Sequence, residues 1–164
     1  MNPADVYDEY CDRIFRFMFH RIGNEKDAED LAGQVFERVV VNIERFDPNK
    51  GAIEVWLFTI ARNVLYDYFR TSKSHEQTGF ETLSERVDDA PTPESSAIMT
   101  EERARLRKAM NRLSERESNI VSMKYAAGLK NTEIAKTMAL SEKNVSVILC
   151  RALKKLKKEL LKNE

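Results

Sequence analysis

Apolar residues recur every three or four positions along most of this chain, and no stretch alternates apolar and polar residues as a half-buried strand would. The expected class is therefore all-α. Tyr7, Tyr10, Cys11, Ile14, Phe15, Met18 and Ile22 share a face of a first helix that Gly23-Asn24 ends. Ala28, Leu31, Ala32, Val35, Phe36, Val39 and Ile43 mark a second helix from about Glu25. The segment Phe46-Asp47-Pro48-Asn49-Lys50-Gly51 reads as a loop by composition. A third helix, Ile53 to Arg70, follows, with Ile53, Trp56, Leu57, Ile60, Ala61, Val64 and Tyr68 inward.

From Thr71 to Met99 the pattern fails. The segment is polar and acidic and is punctuated by Gly79, Pro91 and Pro93, which predicts a flexible linker. Helical periodicity returns in the last third. Ser114-Glu115-Arg116-Glu117 is a capping box, opening a helix with Ile120, Val121 and Met123 inward that closes near Gly128. Asn131 is expected to cap a short helix, Thr132 to Met138, and Ser141 a longer one. That last helix carries Val145, Leu149, Ala152 and Leu156 on one face and Lys143, Val147, Cys150, Arg151, Lys154 and Lys158 on the other. A short helix, a tight turn and a longer helix with a cationic outer face predict a helix-turn-helix. The expected organisation is two small helical domains, residues 1–72 and 100–164, joined by a linker over 73–99.

Charge sharpens this picture only when the chain is divided. The whole chain has a formal net charge of +0, which alone argues against a nucleic-acid partner. Residues 1–70 hold 9 Lys+Arg against 13 Asp+Glu, residues 71–100 hold 2 against 6, and residues 101–164 hold 16 against 8. The positive charge thus lies on the helix-turn-helix, where phosphate contact needs it.

The third helix is chemically unusual. With Ile60 at the centre of the buried face, Val55, Phe58, Thr59, Arg62, Tyr66 and Phe69 fall on the opposite side. Such an aromatic face is either covered by a neighbouring helix or stacks on unpaired bases, with Arg62 near phosphate. Asp67 falls inward and is expected to bond Arg13 or Arg16.

No catalytic, metal or cofactor pattern is present. His20 and His75 lack ligand-spaced partners, and the glycine of Asp47-x-Asn49-x-Gly51 comes too early for a calcium loop. Asp27, Glu29 and Asp30 suit a helix N-terminus better than a metal. Cys11 and Cys150 show no pairing pattern, no apolar run reaches ~18 residues, and the N-terminus lacks a signal-peptide pattern. The expectation is a cytoplasmic protein that is not an enzyme, needs no cofactor or metal and does not insert into membranes.

In the N-terminal half stand the blocks Asp27-Ala28-Glu29-Asp30-Leu31 with Phe36, Phe46-Asp47-Pro48, and Trp56-Leu57-Phe58-Thr59-Ile60-Ala61-Arg62-Asn63 with Asp67 and Arg70. In the C-terminal half stand Leu113-Ser114-Glu115-Arg116-Glu117, Gly128-Leu129 with Glu133-Ile134-Ala135, then Ser141-Glu142, Val145 and Arg151-Ala152. Taken together and in order, these blocks resemble the extracytoplasmic-function group of the sigma-70 family of RNA polymerase sigma factors. The resemblance implies a sigma region 2 bundle and a sigma region 4 helix-turn-helix. It implies that Asp27, Asp30, Gln34 and Phe36 dock on the clamp helices of the polymerase's largest subunit. Asp47, Asn49, Lys50, Phe58, Arg62, Asn63, Tyr66 and Arg70 would read and hold the opened −10 strand. Lys143, Asn144, Ser146, Val147, Cys150, Arg151 and Lys154 would meet the −35 duplex. It further implies an anti-sigma factor as partner, and a monomer when free.

The chain departs from the family pattern at Gly33, where a glutamine is common and Gln34 stands one position later, and at Ser146 and Ile148, positions often basic. Outward Val147 and Cys150 suit thymine methyl groups, which predicts a −35 site rich in A·T pairs. Two other functions fit parts of the sequence. One is a helix-turn-helix regulator with an N-terminal sensing or dimerising domain. The other is an interaction protein whose aromatic face docks a partner helix.

Overall fold

The computed structural model describes the backbone of residues 2–77 and 95–162, and the side chains of residues 2–71 and 101–162. All regular structure among them is helical. Helix α1 (Pro3–Ile22) begins where Asn2 Oδ1 accepts the Ala4 N–H and Pro3 occupies the first turn, a position that needs no donor. It ends at Gly23, whose φ of 73° suits a residue without a Cβ. Asn24 then caps α2 (Glu25–Asn42) through the Asp27 N–H. A single 3₁₀ turn (Ile43–Arg45) leads into the loop, and α3 (Ile53–Gln77) returns across the first two helices.

Val6, Ile14, Met18, Ala28, Leu31, Val35, Val39, Leu57, Ala61 and Val64 are buried in this first bundle. Fully burying a Val, Leu, Ile or Met side chain is worth roughly 1.5–3 kcal/mol, so these larger residues dominate the stability of the bundle. The buried face of α3 is rotated from the expected one. Leu57, Phe58, Ala61, Val64 and Leu65 are buried, whereas Ile60 is half-buried. Tyr7, expected inside, is exposed, and Phe17, absent from the expected stripe, is fully buried.

The second domain contains α4 (Ser95–Met110), α5 (Glu115–Val121), a π turn (Ser122–Ala126), α6 (Asn131–Met138) and α7 (Glu142–Leu161). The capping box at Ser114 is present in full: Ser114 Oγ accepts the Glu117 N–H and Glu117 accepts the Ser114 N–H. Glu117 also bonds Lys155 Nζ at 2.9 Å, tying α5 to α7. Burial would raise the Glu117 pKa, but these bonds outweigh it and hold the carboxyl below its usual range. Gly128 (φ 72°) and Ala139 (φ 56°) take the left-handed conformation at the turns before and after α6. Ser141 caps α7, whose Val145, Leu149, Ala152 and Leu156 are buried as the spacing predicts.

Helix boundaries differ from expectation in three places. Helix α3 runs past Arg70 to Gln77, and α4 starts at Ser95, so helix occupies both ends of the expected linker. Residues 78–94 lie outside the described residues. Helix α6 starts one residue earlier than predicted, with Lys130 at the N-cap. The Lys130 N–H is held by Glu133 Oε1 at 2.9 Å, and Asn131 instead donates to Ser146 Oγ. Lysine has no acceptor, so the box here is one-sided.

The two domains are packed together. Helix α1 lies against the π turn, and α3 against α6. Beneath this contact, within the first bundle, Phe17 and Phe58 meet edge to face at 5.8 Å. Four arginines cross the seam to neutral acceptors. Arg13 Nε donates to Ala127 O at 2.7 Å, Arg21 Nε to Asn119 Oδ1 at 2.7 Å, and Arg62 to Thr137 O at 2.7 Å. Arg107, from the second domain, donates to His20 O at 3.5 Å. Its guanidinium also rests on Gly23, where an added Cβ would collide with it.

Candidate nucleic-acid and polymerase interfaces

The loop before α3 is shaped by its own side chain. Asp47 Oδ1 accepts the Asn49 N–H at 2.9 Å and Asp47 O accepts the Lys50 N–H at 3.0 Å, an Asx turn that leaves Asn49 and Lys50 exposed. Phe46 anchors the loop against Trp56, with ring centroids 5.2 Å apart.

On α3, Asn63, Tyr66 and Arg70 face solvent, with Tyr66 59% exposed. Arg62 is half-buried under α6. Phe58 departs from the predicted exposed face. It is 0% exposed, packed by Phe17, with the Arg13 guanidinium 5.9 Å from its ring centroid. Apolar area of this size is covered by a neighbouring element, so Phe58 belongs to the core rather than to a surface that stacks on bases. Asp67 is not buried either: its partners are Arg38 at 3.1 Å and Arg70 at 3.3 Å, in place of Arg13 or Arg16. Such half-exposed pairs contribute roughly 0.2–1 kcal/mol and mainly set the direction of Arg70.

On α7, Lys143, Asn144, Ser146, Val147, Cys150, Arg151 and Lys154 are all exposed on the face opposite the core. Ile148 is half-buried and packs against the core, which accounts for a non-basic residue there. The cationic face of the helix-turn-helix is therefore open while the domains are together.

On α2, Asp30 and Gln34 are exposed, and Gly33 between them has open space where a Cβ would be. Asp27 accepts a hydrogen bond from Tyr68 at 3.2 Å, which joins the start of α2 to α3. Phe36 is only 8% exposed and meets Tyr7 edge to face at 4.9 Å. As placed here it supports the α2 surface from beneath and does not present its ring to a partner. Val40 and Val41, 59% and 78% exposed, extend the stripe toward the end of the helix. Periodicity alone would have flagged them, because they fall outside the buried 28–31–35–39 register.

Sequence reasoning missed the seam. Arg13, His20, Arg21 and Arg107 lie along it, and His20 Nδ1 is 2.6 Å from Ser122 Oγ. Burial first, then Arg107 and Arg21, push the His20 pKa below its ordinary value. Burial likewise brings Arg21 down to about 10.

Comparison with known proteins accords with this geometry. Residues 6–75 match the family described as Sigma-70 region 2, and residues 103–156 match Sigma-70, region 4. The ECF RNA polymerase sigma factor SigW of Bacillus subtilis is 30% identical over 96% of this chain and 88% of its own. BldN of Streptomyces coelicolor, another ECF sigma factor, is 28% identical over 92% of this chain, which spans 57% of that relative's length. The sigma factor RpoE, solved with the anti-sigma factor NepR from Bartonella quintana, superposes with a TM-score of 0.76 at 22% identity, covering 97% of this chain and 96% of that one. CnrH, solved with the cytosolic domain of CnrY, superposes at 0.67 and 20% identity, covering 98% of this chain and 86% of that one. The chain belongs to the extracytoplasmic-function group of sigma-70 family RNA polymerase sigma factors.

Proposed function

We infer that this chain binds core RNA polymerase and directs it to promoters, using residues 1–72 to dock and to hold the −10 strand and residues 100–164 to read the −35 duplex. The observation that carries this reading is the coexistence, in one chain, of two unlike nucleic-acid faces. Asn63, Tyr66 and Arg70 line the solvent side of α3 beside the Asp47–Lys50 turn, and the cationic face of α7 stands open. The family matches support the same division.

In this reading Arg62 joins Asp47, Asn49, Lys50, Asn63, Tyr66 and Arg70 on the strand once α6 moves away. Phe58 holds α3 in place instead of touching a base. Asp30 and Gln34, with Asp27 behind them, face the clamp helices of the largest polymerase subunit, on a helix that Phe36 fixes to α1. The two domains separate on promoter engagement. The 17 residues between Gln77 and Ser95, stretched at ~3.3 Å per residue, would reach tens of ångströms, enough to span the two elements. An anti-sigma factor is a second partner: the similar sigma factor RpoE was solved with the anti-sigma factor NepR, and Val40 and Val41 offer apolar surface beside the docking stripe. The setting is the cytoplasm, where polymerase works. Among the described residues no helix is long and apolar enough to cross a membrane. The family assignment leaves a self-associating duplex regulator without support.

Run-off transcription with bacterial core polymerase on promoters selected from a random library tests this. Protein-dependent start sites that vanish with Arg62→Ala and with Tyr66→Ala are expected. Absence of core binding would overturn the reading.

A further inference from the structure

Where α1, α3, α4 and α5 converge, the seam encloses a cavity of about 230 Å³ lined by His20, Arg21, Phe69, Arg107, Glu115 and Ser118 among others. Its charge is poorly balanced. Among the described residues Arg21 bonds the neutral Asn119 Oδ1, and its guanidinium lies 5.0 Å from the Phe69 ring centroid. Among the described residues Arg107 donates to the His20 carbonyl, at 3.5 Å. Among the described residues no carboxylate comes within 4.0 Å of either guanidinium. Glu115, on the exposed rim, is the one acid in the lining.

Each guanidinium carries five N–H donors, and half-buried donors seek acceptors. Two planar forks at one cavity match the several oxygens of a tetrahedral oxyanion better than the two of a carboxylate. The cavity has room beyond a bare phosphate, and Met110 and Leu113 supply an apolar wall for whatever the phosphate is attached to. Burial lowers the pKa of both Arg21 and Arg107, offset in part by Glu115 at Arg21 and by Tyr68 at Arg107.

We propose that this cavity binds a phosphate-type oxyanion through Arg21 and Arg107. Because the first arginine belongs to one domain and the second to the other, the bound anion clamps the two domains together. This site is separate from either nucleic-acid face and does not depend on how those faces are used.

The chain has only two histidines, so the His20 imidazole resonance is a local reporter and His75 an internal reference. Inorganic phosphate is titrated into the full chain at fixed pH and ionic strength. A saturable shift of the His20 signal is expected, weakened at least tenfold by Arg107→Gln and by Arg21→Gln. It should be retained in Arg116→Gln, an exposed site on α5. Thermal melting of each variant verifies folding, and Arg107→Lys, which keeps the charge but loses the fork, should also bind more weakly. Amide exchange in α6 should slow in the presence of phosphate. A shift that does not saturate, binding that survives both Gln substitutions, or α6 exchange indifferent to phosphate would overturn the proposal. Competition by a short single-stranded oligonucleotide separates the sources: displacement identifies a nucleic-acid phosphate, and its absence a free phosphorylated molecule.

Discussion

Arg62 and Thr137 are joined across the seam: the arginine NH1 donates to the threonine carbonyl at 2.7 Å. Thr137 is in turn fixed on α6, where its own hydroxyl donates to Glu133 O at 2.8 Å. The side chain proposed to grip a melted promoter strand is thus engaged by the helix-turn-helix.

Arg62→Ala should therefore act in two opposite directions. It removes a charge-assisted hydrogen bond of roughly 1.5–3 kcal/mol, so α6 amides should exchange faster in the free protein. Transcription from a selected promoter should nonetheless fall by about tenfold or more, because the strand contact is lost as well. Faster exchange with undiminished transcription would remove Arg62 from the strand-holding set.

Acid should loosen the seam. The His20 pKa is lowered by burial first, then by Arg107 and Arg21, which favours the neutral imidazole beside Ser122. Glu115 on α5 lines the same cavity, and Tyr68 on α3 acts on Arg107. A histidine whose pKa is lower in the closed state binds its proton more readily when opened. Its contribution is full above the ordinary value near 6.5 and is lost as pH falls below that. Protection of the α6 amides from exchange, corrected for the slower intrinsic exchange in acid, should fall from pH 7.5 to 5.5 in the native chain and much less in His20→Gln.

Gly23→Ala should be costly for a residue on the surface. A left-handed backbone costs an L-residue roughly 1–2 kcal/mol, and the new Cβ would also displace the Arg107 guanidinium. Thermal denaturation should show a midpoint lower by several degrees. A change under one degree would mean that Gly23 is not held in this conformation.

Gly33→Gln should do the reverse. The site is exposed in the middle of α2 with open space around it, and Gln is better than Gly in a helix by roughly 0.5 kcal/mol. A modest rise in melting temperature is expected. If the α2 stripe docks on polymerase, core affinity should change as well, as read in a pull-down titration. An unchanged affinity would place the docking surface elsewhere.

Arg151→Ala and Lys154→Ala should weaken duplex binding similarly on all sequences and lower the salt slope by about one each. Substituting outward Val147 should instead change which sequences are selected. A selected −35 consensus made only of G·C pairs would refute the role given to Val147 and Cys150.

Most of the helices were legible because their signals are local. Asn2, Asn24, Ser114 and Ser141 cap helices, and Gly23 and Gly128 end helical runs. The open face of α7 followed from 3.6-residue periodicity. Phe58 was misplaced for the opposite reason, since nothing within a helix says that a distant helix will cover its second apolar side. The extension of α3 and the existence of α4 were hidden by sparse hydrophobicity over residues 71–100, where composition outweighs pattern. Asp67 went to Arg38 rather than Arg13 or Arg16 because ion pairing depends on which helices are neighbours. The seam itself was invisible: its arginines bond backbone carbonyls and an amide, which leave no charge-pattern signature.

The open α7 face and the engaged Arg62 together impose a schedule on promoter recognition. While the domains are packed, the cationic helix is presented to solvent and the arginine proposed to grip the strand is held by α6. A free molecule is thereby equipped to survey intact duplex before it can capture an unpaired strand. Search and melting become successive events, separated by the cost of parting two surfaces rather than by any clock outside the chain.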